Sequence, residues 1–289
     1  MQDPGKPVRP LSTFGRSAHV RTKTCLCGPA RTPMSKAQNA TQEFLDTNQY
    51  SRNSILRYES VYGTDFVSPG GRQYASQLIE KLALPFDSTV LDVGCGLGGS
   101  AFLMAQKFNL FVDGIDLSNN MLALARDRLS TYRLGSRVTL RHQDCLTLNL
   151  HDHYDAVYSR DVFLHIQDKS HLFSTLYNAL KRPGKLLFTD YCCSEQPWRP
   201  DFSRYVKSRG YHLRTVSQYA DLLSQAGFQE VLALDITARF IAILESDITK
   251  IAALEMDEVS RDELTESWRS KLNRAHSGNH RWGLFTGIK

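Results

Sequence analysis

The chain has 289 residues, of which 42% are hydrophobic, 10% aromatic and 22% charged, with a formal net charge of +5. This is ordinary globular composition, which excludes wholesale disorder, and the length suits one large domain or two small ones. The longest apolar runs, such as those over 185–189 and 240–244, fall far short of the ~18 residues that a membrane span requires.

The charge is concentrated at the N-terminal side. Residues 1–40 hold seven Lys or Arg and one acid, Asp3, a net of +6 that leaves −1 for residues 41–289. A nucleic-acid partner would call for a basic footprint on the folded domain, so none is expected. The stretch is rich in Arg, Ser and Thr and broken by Pro4, Pro7, Pro10, Pro29 and Pro33. It shares the composition of a transit peptide without the amphipathic face, and reads as a disordered basic leader over 1–40. Met34 offers an internal start, which makes 1–33 read as dispensable. Six cysteines, at 25, 27, 95, 145, 192 and 193, have no zinc-like spacing. Free thiols in a reducing compartment, hence a cytoplasmic protein with no metal, are the expectation.

From residue 41 onward, short apolar runs alternate with helical stretches. Thr89–Val93 reads as a buried strand followed by glycines and a helix over Gly98–Lys107. A strand at Leu110–Asp116 leads to a helix at Asn119–Leu129. Strands follow at Val138–His142, Asp155–Ser159 and Lys185–Tyr191, with a helix near Ser170–Leu180 before the last of them. The alternation lapses over Cys192–Leu213. It resumes with a helix at Val216–Gln225, a strand at Glu230–Leu234, a long helical region and a strand near Arg281–Ile288. Such alternation implies parallel strands with helices on both faces, with no internal repeat: one doubly wound α/β domain carrying an insertion.

The strongest local signal is Val90-Leu-Asp-Val-Gly-Cys-Gly-Leu-Gly-Gly99. Glycines after a strand let the backbone turn tightly and approach a ligand, and the next helix offers its first amides. Gly94, Gly96 and Gly99 also satisfy G-x-G-x-x-G, and Asp116, at the end of the second strand, suits a ribose diol either way. This much does not separate a hydride carrier from a methyl donor. Three more acids argue for the second. Asp92 lies inside the first strand, Asp144 ends the third in a position to accept from an exocyclic amine, and Asp161 follows the fourth. Acids at successive strand ends suit a cofactor bearing a sulfonium and an ammonium.

Val90–Gly99, Gly114-Ile-Asp-Leu-Ser and His142-Gln-Asp together resemble the class I S-adenosylmethionine-dependent methyltransferases. Outside the cofactor half the resemblance narrows. Asn48-Gln-Tyr50, Tyr58-Glu, Val67-Ser-Pro-Gly-Gly71, Tyr158-Ser-Arg-Asp-Val-Phe-Leu-His165, Thr189-Asp-Tyr191, Tyr205-Val-Lys-Ser-Arg-Gly-Tyr211 and Arg281-Trp-Gly-Leu-Phe are similar to phosphoethanolamine N-methyltransferases, over roughly 42–289. The resemblance implies a mostly parallel seven-stranded, Rossmann-like sheet, an N-terminal helical lid over 41–71, and a substrate-binding insertion over 192–215 after the fifth strand. It implies S-adenosylmethionine as cofactor and a small phosphoamine as partner, in a monomer.

Methyl transfer from a sulfonium is an in-line displacement by an amine that has lost its proton, so positioning and a base are both needed. His165 lies four residues after Asp161, so both face one cleft if that segment is helical. The resemblance implies that Tyr50 and His165 form a catalytic pair, with Tyr50 on the lid and Asp161 beside the substrate ammonium. It places Tyr50, Val67, Ser68, Gly94, Gly96, Asp116, Leu117, Asp144, Cys145 and Arg160 around the cofactor. Tyr58, Asp161, Tyr191, Arg209, Tyr211 and Lys271 are the implied substrate residues, the last four at phosphate-binding positions that suit an anion's need for donors and positive charge. Cys145 departs from the family's common Ile, and Ile236–Phe240 departs at the cleft rim. The family's members perform all three methylations or only the later ones, and the matched residues leave open which. Other readings are a methyltransferase for another amine or a carbon, an NAD-dependent oxidoreductase using Gly94–Gly99, and a non-catalytic scaffold. Asp92 and Asp144 oppose the oxidoreductase; Tyr50, Asp161 and His165 oppose the scaffold.

Overall fold

The computed structural model describes residues 36–289. The expected leader therefore lies outside the described residues except for its last five, which open a helix. That helix, α1 (Lys36–Phe44), continues as a π-helical turn over Leu45–Gln49, and α2 (Arg52–Tyr62) follows, with Ser51 accepting from the Ser54 amide as its N-cap.

Next come α3 (Gly71–Leu82), β1 (Thr89–Val93), α4 (Gly99–Phe108), β2 (Phe111–Asp116), α5 (Asn119–Thr131), β3 (Val138–His142) and β4 (Tyr154–Arg160). After them stand α6 (Lys169–Ala179), β5 (Leu180–Cys193), α7 (Pro200–Arg209), α8 (Val216–Gln225), β6 (Gln229–Asp235), α9 (Thr237–Ala252), α10 (Glu258–His276) and β7 (His280–Ile288). The strands form one sheet in the order β3-β2-β1-β4-β5-β7-β6, in which β7 runs antiparallel to both its neighbours and the other pairings are parallel. The seven-stranded, mostly parallel sheet is the one expected. Chain order reverses on either side of β1, which pairs with β2 through Val90↔Val112 and with β4 through Val90↔Ala156. That reversal opens a crevice at the strands' carboxyl ends.

The central strands feed two cores because their side chains alternate. Val90, Ala156, Tyr158 and Leu187 pack toward α3, α4, α9 and α10, while Leu91, Val93, Val157 and Phe188 pack toward α6 and α8. Burial on both faces explains why these segments read as unbroken apolar runs. The expected insertion contains a helix that the alternation did not reveal. Pro200 opens α7 at a first-turn position, and Gly210 closes it in the left-handed region.

The N-terminal helices are fastened by ions. Arg128 on α5 forks onto Glu59 of α2 at 2.7 and 2.9 Å and reaches Asp65 at 3.1 Å, and Tyr132 donates to Asp65 at 2.9 Å. The Asp65 amide closes the ring by donating to Glu59 at 2.6 Å. All three charged side chains are at least four-fifths covered, so removal of the cation leaves two poorly hydrated carboxylates. Arg128→Ala is expected to lower stability by about 2 kcal/mol, less than the loss of a fully buried pair because water still reaches the site. An unfolding free energy from urea titration lowered by less than about 0.2 kcal/mol would show the network to be inert.

Candidate active site

Every residue singled out for a site from sequence lines one cavity of about 490 Å3 at the carboxyl ends of the strands, a volume in the range of small-molecule sites. Its floor is the turn out of β1. The Gly94 and Cys95 amides both donate to the Ile115 carbonyl, at 2.8 and 3.0 Å. Asp116 then accepts from the Gly96 amide with one oxygen and from the Ser118 amide with the other, each at 2.8 Å. Gly94 has φ +70°, and a Cβ there would run into the Val162 side chain, so the turn needs glycine on both counts.

Asp144 caps the short 3-10 turn Cys145–Thr147 by accepting from the Leu146 amide at 2.9 Å, and Cys145 is buried against the cavity. Arg160 is nearly buried. Its guanidinium is engaged by the carbonyls of Pro69 and Gly71, fixing the Val67–Gly71 segment that brings Val67 and Ser68 to the cavity.

The N-terminal segment, expected to be a lid, crosses this floor. Asp46, in the π-helical turn, accepts from the Ser118 hydroxyl and the Asn119 amide at the start of α5, and Asn120 Nδ2 donates to the carbonyls of Asp46 and Tyr50 at 3.1 and 2.9 Å. A carboxylate at a helix N-terminus is favoured by the unpaired amides there. On the other side Gln49 donates to the Arg209 carbonyl at 2.8 Å. Held at both ends, Tyr50 sets its hydroxyl 3.2 Å from His165 Nε2.

His165 and Asp161 do share the cavity, by a different route from the expected helix. Asp161 takes φ +56°, a left-handed conformation that Asp tolerates better than most residues, and a 3-10 turn over Phe163–His165 follows. Trp282 of β7 donates to Asp161 Oδ1 at 2.7 Å and Thr189 donates to the same oxygen at 3.2 Å, which leaves Oδ2 buried without a partner.

Aromatic rings and cations form the far wall. The Tyr211 ring is 5.3 Å from that of His165 and 5.7 Å from that of Tyr205. Tyr191 is buried, and Arg209 comes from the last turn of α7. Lys271 is buried on α10, its Nζ 4.7 Å above Trp268 and 5.6 Å from the ring centre of Tyr58. Sequence reasoning missed Ser267 and Arg274, which line the same wall. Both lie on the helix face of Lys271, four residues before it and three after, so the i, i+3, i+4 spacing was the available signal. Gln49 and Asn120 were missed because their partners are distant in sequence.

Burial governs the titration of these groups. It pushes His165 down to about 3, helped by the nearby charge of Lys169, so the imidazole is neutral near pH 7. Burial drives the Tyr50 hydroxyl far above its usual range and raises the carboxyl of Asp161. Lys271 is lowered to about 7, again by burial, with Arg274 and Arg209 adding repulsion. Asp92, 2% exposed and with Oδ2 lacking a partner, rises to about 7 through burial and then through repulsion from Asp116. Two orphaned carboxylate oxygens in one cavity ask for a cationic, hydrogen-bond-donating occupant.

A carboxyl held up in the folded state costs stability only where it is ionised. Asp92 therefore costs nothing below pH 4, and its cost grows until about pH 7 and then levels off. Asp92→Asn is expected to match the parent in thermal midpoint near pH 4 and to exceed it by several degrees at pH 8. A difference independent of pH would refute the raised carboxyl.

A family model described as a methyltransferase domain matches residues 90–184. Phosphoethanolamine N-methyltransferase 1 of Zea mays is 40% identical, over 88% of this chain and 52% of its own length, and the Arabidopsis thaliana protein of the same name is 41% identical over 88% and 53%. The chain thus spans about half the length of these plant relatives. Phosphoethanolamine N-methyltransferase of Plasmodium falciparum is 32% identical over 87% of this chain and 97% of its own length. The solved structure of Haemonchus contortus phosphoethanolamine N-methyltransferase 2, in complex with phosphomonomethylethanolamine and S-adenosylhomocysteine, superposes with a TM-score of 0.82 at 33% identity, covering 86% of this chain and 60% of the other. Mycolic acid cyclopropane synthase CmaA1 has a TM-score of 0.73 at 15% identity and shares the fold alone. At 32% identity over 97% of the length of the Plasmodium falciparum protein, the chain belongs to the phosphoethanolamine N-methyltransferase family.

Proposed function

We propose that this chain transfers a methyl group from S-adenosylmethionine to the nitrogen of phosphoethanolamine, or of its mono- and dimethyl forms, to give phosphocholine for phosphatidylcholine synthesis. The observation that carries the reading is the double attachment of Tyr50. Its carbonyl is held by Asn120 on the side of the glycine turn, and its hydroxyl meets His165, whose ring faces Tyr211 on the cationic wall. One cavity so joins an acidic half suited to a sulfonium and an ammonium with a half suited to a phosphomonoester. The proposed molecule is a monomer, and its proposed cytoplasmic location rests on the free thiols of Cys95, Cys145, Cys192 and Cys193.

Gly94, Gly96, Asp116, Leu117, Asp144 and Cys145, with Val67 and Ser68 from the lid side, are the residues that would hold the cofactor. Bound there, the cofactor supplies an electrophilic methyl group on a positively charged sulfur. Asp161 Oδ2 receives the substrate's ammonium and fixes the nitrogen. Tyr191, Arg209, Tyr211 and Lys271 bind the phosphate and set the distance from phosphorus to nitrogen. The ammonium must give up a proton before its lone pair can attack, and neutral His165, oriented by the Tyr50 hydroxyl, takes it. The new N–C bond forms as the S–C bond breaks, so the sulfur leaves as a neutral thioether. Phosphodimethylethanolamine still carries one such proton, so the same residues serve each step.

The test is a calorimetric series on the full chain with S-adenosylhomocysteine present. Phosphoethanolamine and its monomethyl and dimethyl forms are expected to bind saturably, and ethanolamine not to bind. Cofactor binding without any phosphoamine binding would move the reading to a methyltransferase for another acceptor.

The Lys271 environment adds a pH signature. A phosphate dianion favours the ammonium form, which the free protein loses above about pH 7. Affinity for phosphocholine, whose nitrogen does not titrate, is expected to fall above pH 7 by up to about tenfold per unit. Lys271→Met is expected to bind weakly and to lose that slope. The same slope in the variant would remove Lys271 from the phosphate site.

A further inference from the structure

Beneath the cavity lies a buried charged group that the proposed reaction does not use. Lys169, at the start of α6, is 2% exposed, and its ammonium spends all three protons on main-chain carbonyls: Phe163 at 3.0 Å, Ile166 at 2.7 Å and His212 at 2.6 Å. Two of these acceptors bracket His165 in its 3-10 turn. The third follows Tyr211 on the phosphate wall. The same two segments are joined a second time, since the His212 amide donates to the Leu164 carbonyl at 2.7 Å. The 3-10 turn holds only its own backbone, and no strand or helix pairs it with the Tyr211–His212 segment, so these bonds set the spacing between the two.

The charge is supported from behind. Asp190 on β5, fully buried, is its main attraction and receives the Tyr219 hydroxyl, and the ammonium lies 5.6 Å from the centre of the Tyr219 ring. Burial pushes Lys169 down and Asp190 up, and the attraction between them opposes both shifts. Asp190 is also the residue between Thr189, which bonds Asp161, and Tyr191 of the phosphate wall. A buried charge whose donors are all spent on loop carbonyls is an expensive way to fill a core. An apolar residue would fill the space but take the donor from the Ile166 and His212 carbonyls, leaving that of Phe163 only the Ile166 amide.

We propose that Lys169 is a positioning residue for methyl transfer, clamping the Phe163–Ile166 turn to the Tyr211–His212 segment so that His165 stays in reach of both Tyr50 and the bound phosphoamine. The proposal rests on the reading of His165 as the proton acceptor. Lys169 does not line the cavity and acts through the turn that carries His165. A displacement of about 1 Å of a reacting group can cost about a hundredfold in rate, which sets the scale of the effect.

The experiment is a double-mutant cycle on the full chain, read by single-turnover methyl transfer to phosphoethanolamine. Lys169→Met is expected to lower turnover by about ten- to a hundredfold, to raise the Michaelis constant for the phosphoamine, and to leave the affinity for S-adenosylhomocysteine within about threefold. In a His165→Ala background the same substitution is expected to cost turnover less than about twofold while still raising the Michaelis constant. Should Lys169→Met fail to fold, Lys169→Arg, which keeps the charge but misplaces the donors, is read in the same way. Unchanged turnover in a folded variant, or the same factor lost with and without His165, would overturn the proposal. His165→Ala turning over like the parent would instead refute the reading of His165 itself.

Discussion

The structure is organised around one crowded carbonyl. Ile115 O takes two successive amides from the turn out of β1, and the next available amide, that of Gly96, goes to the Asp116 carboxylate. These bonds force the chain away from the sheet at its centre, where β2 lies on one side and β4 on the other. The consequences run outward. Val162 docks where Gly94 has no side chain, which places the loop that carries Asp161 and His165. Asp65 docks its carbonyl where Gly99 has none, which places the segment linking the lid to the sheet. Substituting either glycine would displace a functional segment as well as the turn.

Around this turn the cavity sorts charge by side. Carboxylates gather at the strand ends, Asp92 and Asp161 each with one oxygen short of a partner, whereas Lys271 and Arg274 on α10 are cushioned by aromatic rings. The ordering is costly in an empty site, because burial opposes ionisation at Asp92, Asp161 and Lys271 alike. A ligand with a cationic middle and an anionic end would relieve each of these groups in turn. Burial also keeps the imidazole between the two halves neutral near pH 7, but as a weaker base than a free imidazole, so the proposed proton transfer depends on the surrounding groups to stabilise the imidazolium.

Much of this was legible from residue order. The bounds of β1, β3 and α8 agree with the sequence reading to the residue, because short apolar runs there are flanked by glycine, acid or a Thr cap. The floor of the cavity was legible too, since Gly94, Gly96, Asp116 and Asp161 lie at or just past strand ends, which a doubly wound sheet brings together. Helix α7 was hidden because its sequence is mostly polar, although Pro200 and Gly210 mark both its ends. The route from Asp161 to His165 was hidden by the left-handed Asp161, a conformation that no spacing rule predicts. The polar fastenings of the lid and the three bonds of Lys169 join residues 43 to 160 positions apart, apart from the bonds to Phe163 and Ile166. From its neighbours, Lys169 reads as one more solvated charge near a helix start.

The strand order carries one more consequence, for the way the molecule assembles. β6 pairs with β7 alone, and β7 lies between it and β5 although it comes later in the chain. β6 therefore has no place in the sheet until β7 has been made and inserted, a non-local closure of the kind that slows folding. Trp282, halfway along that inserted strand, is also the residue that orients Asp161. A chain halted before β7 could build the glycine turn and the parallel half of the sheet, but the Asp161 carboxylate would be unaimed. Under the proposed function, binding of the nucleoside half and competence for transfer would thus be separated in assembly, the second arriving only when the last strand closes the sheet.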